Sequence, residues 1–169
     1  MDGRLAKQKD IYCPMKGAQF VRPSRFVIQW ELTERCNWRC KHCYVDKERV
    51  EELPFKELKK IFTQCLELFE ALKIKPGFAR INIGGGEPFL RKDFFEFLSL
   101  LAKHRSVFSS CIMTNGSFIT DSIARDLKKL AISRVQVSLE GLKETNDAIR
   151  DKGAFDRTIK AIKLSLIHI

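Results

Sequence analysis

The 169-residue chain is 44% hydrophobic and 31% charged, with 5 Pro and 9 Gly, the makeup of a folded domain and not of a disordered or collagen-like chain. No run approaches about 18 uncharged apolar residues, and the N-terminus has no basic start followed by an apolar block, so neither a membrane span nor a secretory signal is expected. A formal net charge of +10 could steer an acidic protein, a nucleotide or a nucleic acid, or could simply solvate helix faces; no arginine-rich tract, zinc-finger pattern or RNP-type aromatic motif turns it into nucleic-acid recognition.

Residues 1–25 mix basic residues with few apolar ones and read as an irregular N-terminal extension. From Phe26 to Leu32 the pattern alternates, with Phe26, Ile28, Trp30 and Leu32 on one face and Val27, Gln29 and Glu31 on the other, which predicts a strand. A loop follows that carries Cys36, Cys40 and Cys43, and Asp46 to Glu52 continues it as a charged stretch. Pro54 can open a helix. Phe55, Leu58, Ile61, Phe62, Cys65, Leu66 and Phe69 then recur at three- and four-residue spacing, up to a stop at Lys75-Pro76-Gly77.

Phe78 to Ile83 predicts a second strand, running into Gly84-Gly85-Gly86-Glu87-Pro88, and a helix is expected from about Asp93 to His104. Val107 to Met113 predicts the third strand, ended by the turn signal Thr114-Asn115-Gly116. Thr120 or Asp121 can cap the next helix. Val135, Val137 and Leu139 predict a fourth strand that ends in Glu140-Gly141, and a last helix spans about Phe155 to Leu164 with Phe155, Ile159 and Ile162 inward and Phe155 in the core. Ser165 to Ile169 reads as the start of another strand, so the chain reads as a piece of a longer one.

Four β-α repeats imply an α/β fold with a parallel sheet, right-handed crossovers and helices outside. The polar and glycine-rich segments follow the strands, at the carboxyl ends where such sheets hold ligands. Within that frame the cysteines stand out. Six cysteines in a chain too long to need disulfide staples, three of them between positions 36 and 43, point to a reducing, cytoplasmic setting with a metal or Fe–S site. Cys65 and Cys111 lie in apolar periodic runs and read as buried thiols, while Cys13, followed by Pro14, is ambiguous.

Three thiolates on a short loop suit iron or zinc. Structural zinc wants four ligands, and His42, adjacent to Cys43, would need an awkward turn to be the fourth. A [4Fe–4S] cube on three cysteines keeps one iron free, which is of use to an enzyme that binds something there. Unliganded or redox-active thiols are the third possibility. Gly84 to Pro88 lets backbone approach a ligand closely, lacks the Lys-Ser/Thr pair of a phosphate loop, and does not match the dinucleotide spacing. Ser138 and Glu140 alternate with Val137 and Leu139, so on a strand they would share a wet or liganded inner face.

Cys36-x3-Cys40-x2-Cys43, with the glycine run, Thr114-Asn115-Gly116 and the polar end of the fourth strand in the same order, resembles the radical S-adenosylmethionine (SAM) superfamily from about Val27 onward. Where that family more often has an aromatic residue before the third cysteine, this chain has His42. The resemblance implies a partial (β/α)6 barrel with about four βα units, residues 26–169 being a C-terminally incomplete core. It implies a [4Fe–4S] cluster on Cys36, Cys40 and Cys43 whose free iron takes the SAM amino and carboxylate groups, and reductive cleavage to a 5′-deoxyadenosyl radical that abstracts hydrogen. Backbone from Gly85 through Gly86 to Glu87 would meet the SAM amino group, with Glu87 ordering the loop. Asn115 would lie at the cofactor, Ser138 and Glu140 near its ribose or carboxylate, and Arg150 on the carboxylate, a guanidinium offering two donors. Arg150 could equally form a surface salt bridge.

The segment from Asn146 to Phe155 resembles members that mature peptides or cofactors. The implied partners are a low-potential electron donor such as ferredoxin or flavodoxin and a peptide or small-molecule substrate, without a membrane. An RNA-modifying enzyme of the same family, supported only by charge, and a non-catalytic zinc or Fe–S module are the alternatives. No side chain is assigned as the substrate's acid, base or hydrogen donor.

Overall fold

Alternation along β1 (Phe26–Thr33) separates the two faces of the sheet, in a computed structural model that describes residues 26–45 and 51–168, with side chains up to residue 165. Trp30 and Leu32 are buried and Ile28 half-buried on the helix-covered side, whereas Val27, Gln29 and Glu31 are exposed on the other. The same division runs through β2 (Ala79–Gly85), where Ala79, Ile81 and Ile83 are fully buried, and through β3 (Phe108–Thr114), where Phe108 and Ile112 face the helices. With β4 (Arg134–Val137) these strands form one parallel sheet in the order β1-β2-β3-β4. Sequential order with every pair parallel requires a crossover after each strand, so the helices lie outside, as the β-α alternation implies.

Those helices are α1 (Phe55–Ala71), α2 (Phe94–Ala102), α3 (Asp121–Lys129), α4 (Lys143–Ile149) and α5 (Ala154–His168). α1 buries Leu58, Phe62 and Phe69 from its apolar face, and α2 buries Phe94, Phe97, Leu98 and Leu101. Trp30 meets Phe97 edge-on, with ring centroids 5.1 Å apart, which contributes roughly 0.5–1.5 kcal/mol beyond the area buried. α1 stops before Lys75-Pro76-Gly77, because Lys73 takes the left-handed conformation (φ 51°) in which helices commonly terminate. Thr120 caps α3, its hydroxyl accepting from the Ile123 amide at 3.2 Å.

Three expectations need correction, and one helix was not expected. β4 ends at Val137, so Ser138 and Glu140 do not alternate along a strand; one further ladder bond, from the Ser138 amide to the Thr114 carbonyl (3.2 Å), is all that continues it. The segment after β4 contains the helix α4, which no apolar periodicity announces. Ser165 to His168 continue α5 instead of starting a strand. Finally, α5 turns Ala154, Thr158 and Ala161 into the interior, leaving Phe155, Ile159 and Ile162 half-buried. Small side chains are needed there because a Cβ on Gly116 would lie 2.9 Å from that of Ala161. Cys111 is buried and Cys65 half-buried against the core, and burial pushes both thiols up from their ordinary pKa. Cys13 and the N-terminal extension lie outside the described residues.

Candidate active site

The loop after β1 is fixed from several sides before it presents its cysteines. Trp38 is buried (2% exposed), and the guanidinium of Arg157 on α5 stands 5.2 Å from its ring. The Lys41 amide donates to the Ile149 carbonyl at the end of α4 (2.8 Å), and the Cys43 amide closes a turn onto the Cys40 carbonyl (3.2 Å). Asn115, at the end of β3, donates to Asn37 Oδ1 at 2.9 Å and contacts Cys36 Sγ at 3.9 Å; the Trp38 amide points at the same sulfur at 3.4 Å. N–H groups on a sulfur set its direction, as the outer hydrogen bonds of metal sites do.

Glycine makes the next approach possible. Gly86 donates to the Thr33 carbonyl and Glu87 to the Arg35 carbonyl, both at 2.7 Å, which lays the glycine run against the lead-in to Cys36. A Cβ on Gly85 would sit 2.1 Å from the Thr33 oxygen, and one on Gly86 2.3 Å from the Arg35 oxygen. Gly85 also holds φ at 123°, a region L side chains avoid. The run begins inside β2, which extends to Gly85.

Glu87 then turns inward. Its carboxylate is fully buried and accepts from the Thr114 hydroxyl (2.9 Å), the Asn115 amide (2.8 Å) and the Phe89 amide (3.3 Å). Burial raises its pKa from 4.5 to about 7 against the lowering effect of those donors. Glu87 therefore couples the glycine run to the end of β3, and its side chain is not on the cavity wall.

The cavity itself, ≈ 190 Å³, opens at the carboxyl ends of the strands. Of the ten residues singled out in the sequence, eight line it: Cys36, Cys40, Cys43, Gly85, Gly86, Asn115, Ser138 and Arg150. Glu140 stands off the wall and pairs instead with Arg150, whose Nε donates at 3.1 Å and whose Nη2 makes a second, shorter bond. Arg150 holds the Glu140 carboxyl below its ordinary pKa. His42 Nε2 lies 3.7 Å from Glu140 Oε1. Arg91, by contrast, is a buried strut that binds Asp93 and the carbonyls of Leu32 and Leu53.

Among the wall residues not singled out are two polar ones on β1, Gln29 and Glu31. Their only signal in the sequence is their place on the exposed face of the alternating first strand.

The three thiols share one wall and form no disulfide among the described residues. Among the described residues no three His, Cys, Asp or Glu side chains converge closely enough for a single metal ion. Three thiolates on one wall suit a polynuclear cluster, in which each takes a different iron.

A family model described as the radical SAM superfamily matches residues 30–166. The chain belongs to the radical SAM superfamily. Members of that family use a [4Fe–4S] cluster and SAM. The core is 36% identical over 148 residues to Fe-coproporphyrin III synthase of Methanosarcina barkeri, covering 85% of this chain and 35% of that protein. It is 35% identical over 138 residues to the mycofactocin maturase MftC of Mycolicibacterium smegmatis, covering 80% and 33%. To GTP 3′,8-cyclase of Helicobacter pylori it is 35% identical over 147 residues, covering 82% and 42%.

This radical SAM chain therefore spans well under half the length of these curated relatives. Among solved structures, anSMEcpe with bound AdoMet superposes with a TM-score of 0.65 at 22% identity over 85% of this chain and 41% of that one. BtrN in complex with AdoMet and 2-DOIA gives 0.54 at 24% identity, over 74% and 50%. Both likenesses establish the partial-barrel fold. Among the described residues no helix is long and apolar enough to cross a membrane.

Proposed function

We propose that residues 26–169 belong to the cofactor-binding core of an enzyme that initiates radical chemistry by reductive cleavage of SAM, with residues 1–25 as an extension. The observation that carries this reading is one wall shared by Cys36, Cys40, Cys43, the glycine run and Arg150. Cys36, Cys40 and Cys43 hold the cluster. Backbone from Gly85 to Glu87 faces the SAM amino group, Ser138 lies near its ribose or carboxylate, and Arg150 offers two donors to the carboxylate. Asn115 orients Cys36. Bound there, the cluster and SAM supply a 5′-deoxyadenosyl radical for hydrogen abstraction, and the protein supplies ligation, orientation and exclusion of water.

The substrate class is a peptide or a cofactor precursor. The names of the relatives support this: one matures mycofactocin, one is a synthase of an iron porphyrin and one is a GTP cyclase. The reducing electron comes from a low-potential carrier of the ferredoxin or flavodoxin kind, in the cytoplasm.

Anaerobic reconstitution of the full-length protein tests the reading. About four irons and four sulfides per chain are expected, followed by release of 5′-deoxyadenosine on addition of dithionite and SAM. One zinc per chain without SAM cleavage would overturn it.

A further inference from the structure

Below the glycine run, the inner face of the sheet carries an ordered set of polar side chains. Register sets Gln29 of β1 beside Asn82 of β2, and Glu31 beside Gly84. Asn82 Nδ2 donates to Gln29 Oε1 at 3.3 Å, and Gln29 Nε2 donates to Glu31 Oε1 at 3.1 Å and to Met113 Sδ at 3.2 Å. The direction of this relay is forced. Gln29 faces a carboxylate and a thioether, so it must turn its nitrogen to them and its oxygen to Asn82, which must answer with its NH2 group. Flipping either amide would set oxygen against oxygen.

Two acceptors are left over. Asn82 Oδ1 is buried with no partner among the described residues, a state native proteins rarely leave unexplained. The second oxygen of Glu31 lies 3.7 Å from where Gly84 would carry a Cβ, so the glycine keeps that approach open. Glu31 supplies the only carboxylate on the cavity wall among the described residues, since Glu87 is turned inward and Glu140 stands off it. No Lys or Arg among the described residues pairs with it.

From this we infer that Glu31, aimed by Gln29 and Asn82, is the subsite for a protonated primary amine on the substrate. The inference rests on the radical SAM reading of the same cavity and deepens it by naming the substrate's recognition group. An ammonium offers three donors and a charge to the one carboxylate that the described residues put on the wall, whereas a carboxylate or phosphate brought to Glu31 would meet a like charge. Glu31 binds. Gln29 and Asn82 are positioning residues, holding one carboxylate oxygen so that the other faces the cavity.

Fluorine NMR titration of the cluster-loaded full-length protein with 4-fluorobenzylammonium, and separately with 4-fluorobenzoate, tests this. The ammonium probe should bind and the benzoate should not. Glu31→Gln should weaken the ammonium by at least about tenfold, because it removes the charge that pairs with the ammonium, and Gln29→Met should weaken it by a smaller factor. Equal binding of the two probes by the wild type overturns the inference without any variant having to fold. Ammonium binding untouched by Glu31→Gln overturns it too, as does a tenfold loss of SAM affinity in that variant, which would place Glu31 on the cofactor. Iron and sulfide content of the same preparations reports separately on the cluster. A chain that loads no cluster yet discriminates the probes through Glu31 fails the broader reading and not this one.

Discussion

The Glu87 carboxylate accepts a 2.8 Å hydrogen bond from the backbone amide of Asn115, tying the glycine run to the residue that directs Cys36. The tie carries a titratable cost. Burial raises Glu87 from 4.5 to about 7, so the fold favours the protonated form.

Stability contributed by such a raised carboxyl is fully present below pH 4.5 and is lost as pH rises through about 7. The shift corresponds to about 3 kcal/mol across that window. Glu87→Gln cannot ionise. Its oxygen can keep the Asn115 amide and its NH2 can face the Thr114 hydroxyl, at the expense of the longer Phe89 contact, an offset that does not depend on pH. Urea unfolding from pH 5 to 8 should show the wild type losing stability relative to the variant as pH rises. Parallel curves would contradict the assignment.

Gly86 and Gly84 should differ sharply on substitution. Gly86→Ala places a Cβ 2.3 Å from the Arg35 carbonyl oxygen and 2.7 Å from that of Glu34, both backbone atoms that cannot step aside. Gly84→Ala meets nothing nearer than 3.5 Å, an ordinary contact. We expect Gly86→Ala to lose about 2 kcal/mol in urea unfolding and most of its iron after reconstitution, because the strand-end contacts that set Cys36 are pushed apart. Gly84→Ala should stay within about 1 kcal/mol of wild type and keep its iron. Equal behaviour of the two would mean that close approach of backbone is not what the run provides.

Arg91 holds three parts of the fold together. Its guanidinium binds Asp93 at 2.6 and 3.1 Å, the Leu32 carbonyl at the end of β1 at 3.1 Å, and the Leu53 carbonyl before α1 at 2.5 Å. Arg91→Ala strands a carboxylate and two carbonyls, and should cost about 3–5 kcal/mol. Arg91→Lys should recover only part of that, since an ammonium cannot reproduce the fork. A loss below about 1 kcal/mol for Arg91→Ala in urea unfolding would rule out this role.

What the sequence revealed and what it hid divide along physical lines. The alternation around Trp30 and the helical spacing of Leu58, Phe62 and Phe69 follow the two periods of regular structure, so β1 and α1 were legible. α4 was not, because its seven residues bury a polar side chain, Asn146, whose Oδ1 accepts from the Glu140 amide at 3.0 Å. α5 misled in a different way. Apolar spacing selects Phe155, Ile159 and Ile162, whereas close approach to Gly116 selects Ala161, and the close packing prevails. Ser165 to His168 look strand-like, yet adding residues to an existing helix is easier than starting a new element. In the site, the cysteines and glycines announce themselves by spacing. Gln29 and Glu31 do not, because only register across three strands shows that their face of the sheet is a cavity wall.

Arg150 lies on the cavity wall with its side chain 10% exposed, and its guanidinium is already engaged by Glu140. If it receives the SAM carboxylate, Glu140 competes for the same donors. Arg150→Ala should then weaken SAM binding to the reconstituted full-length protein by about tenfold or more, the scale of one charge-assisted fork. Glu140→Gln keeps an acceptor but gives up the charge, so it should leave SAM affinity unchanged or raise it severalfold. Anaerobic equilibrium dialysis with SAM measures both. Equal weakening in the two variants would show that the pair acts as one structural clamp on α4, through the same segment in which the Ile149 carbonyl holds Lys41, and would remove Arg150 from the SAM site.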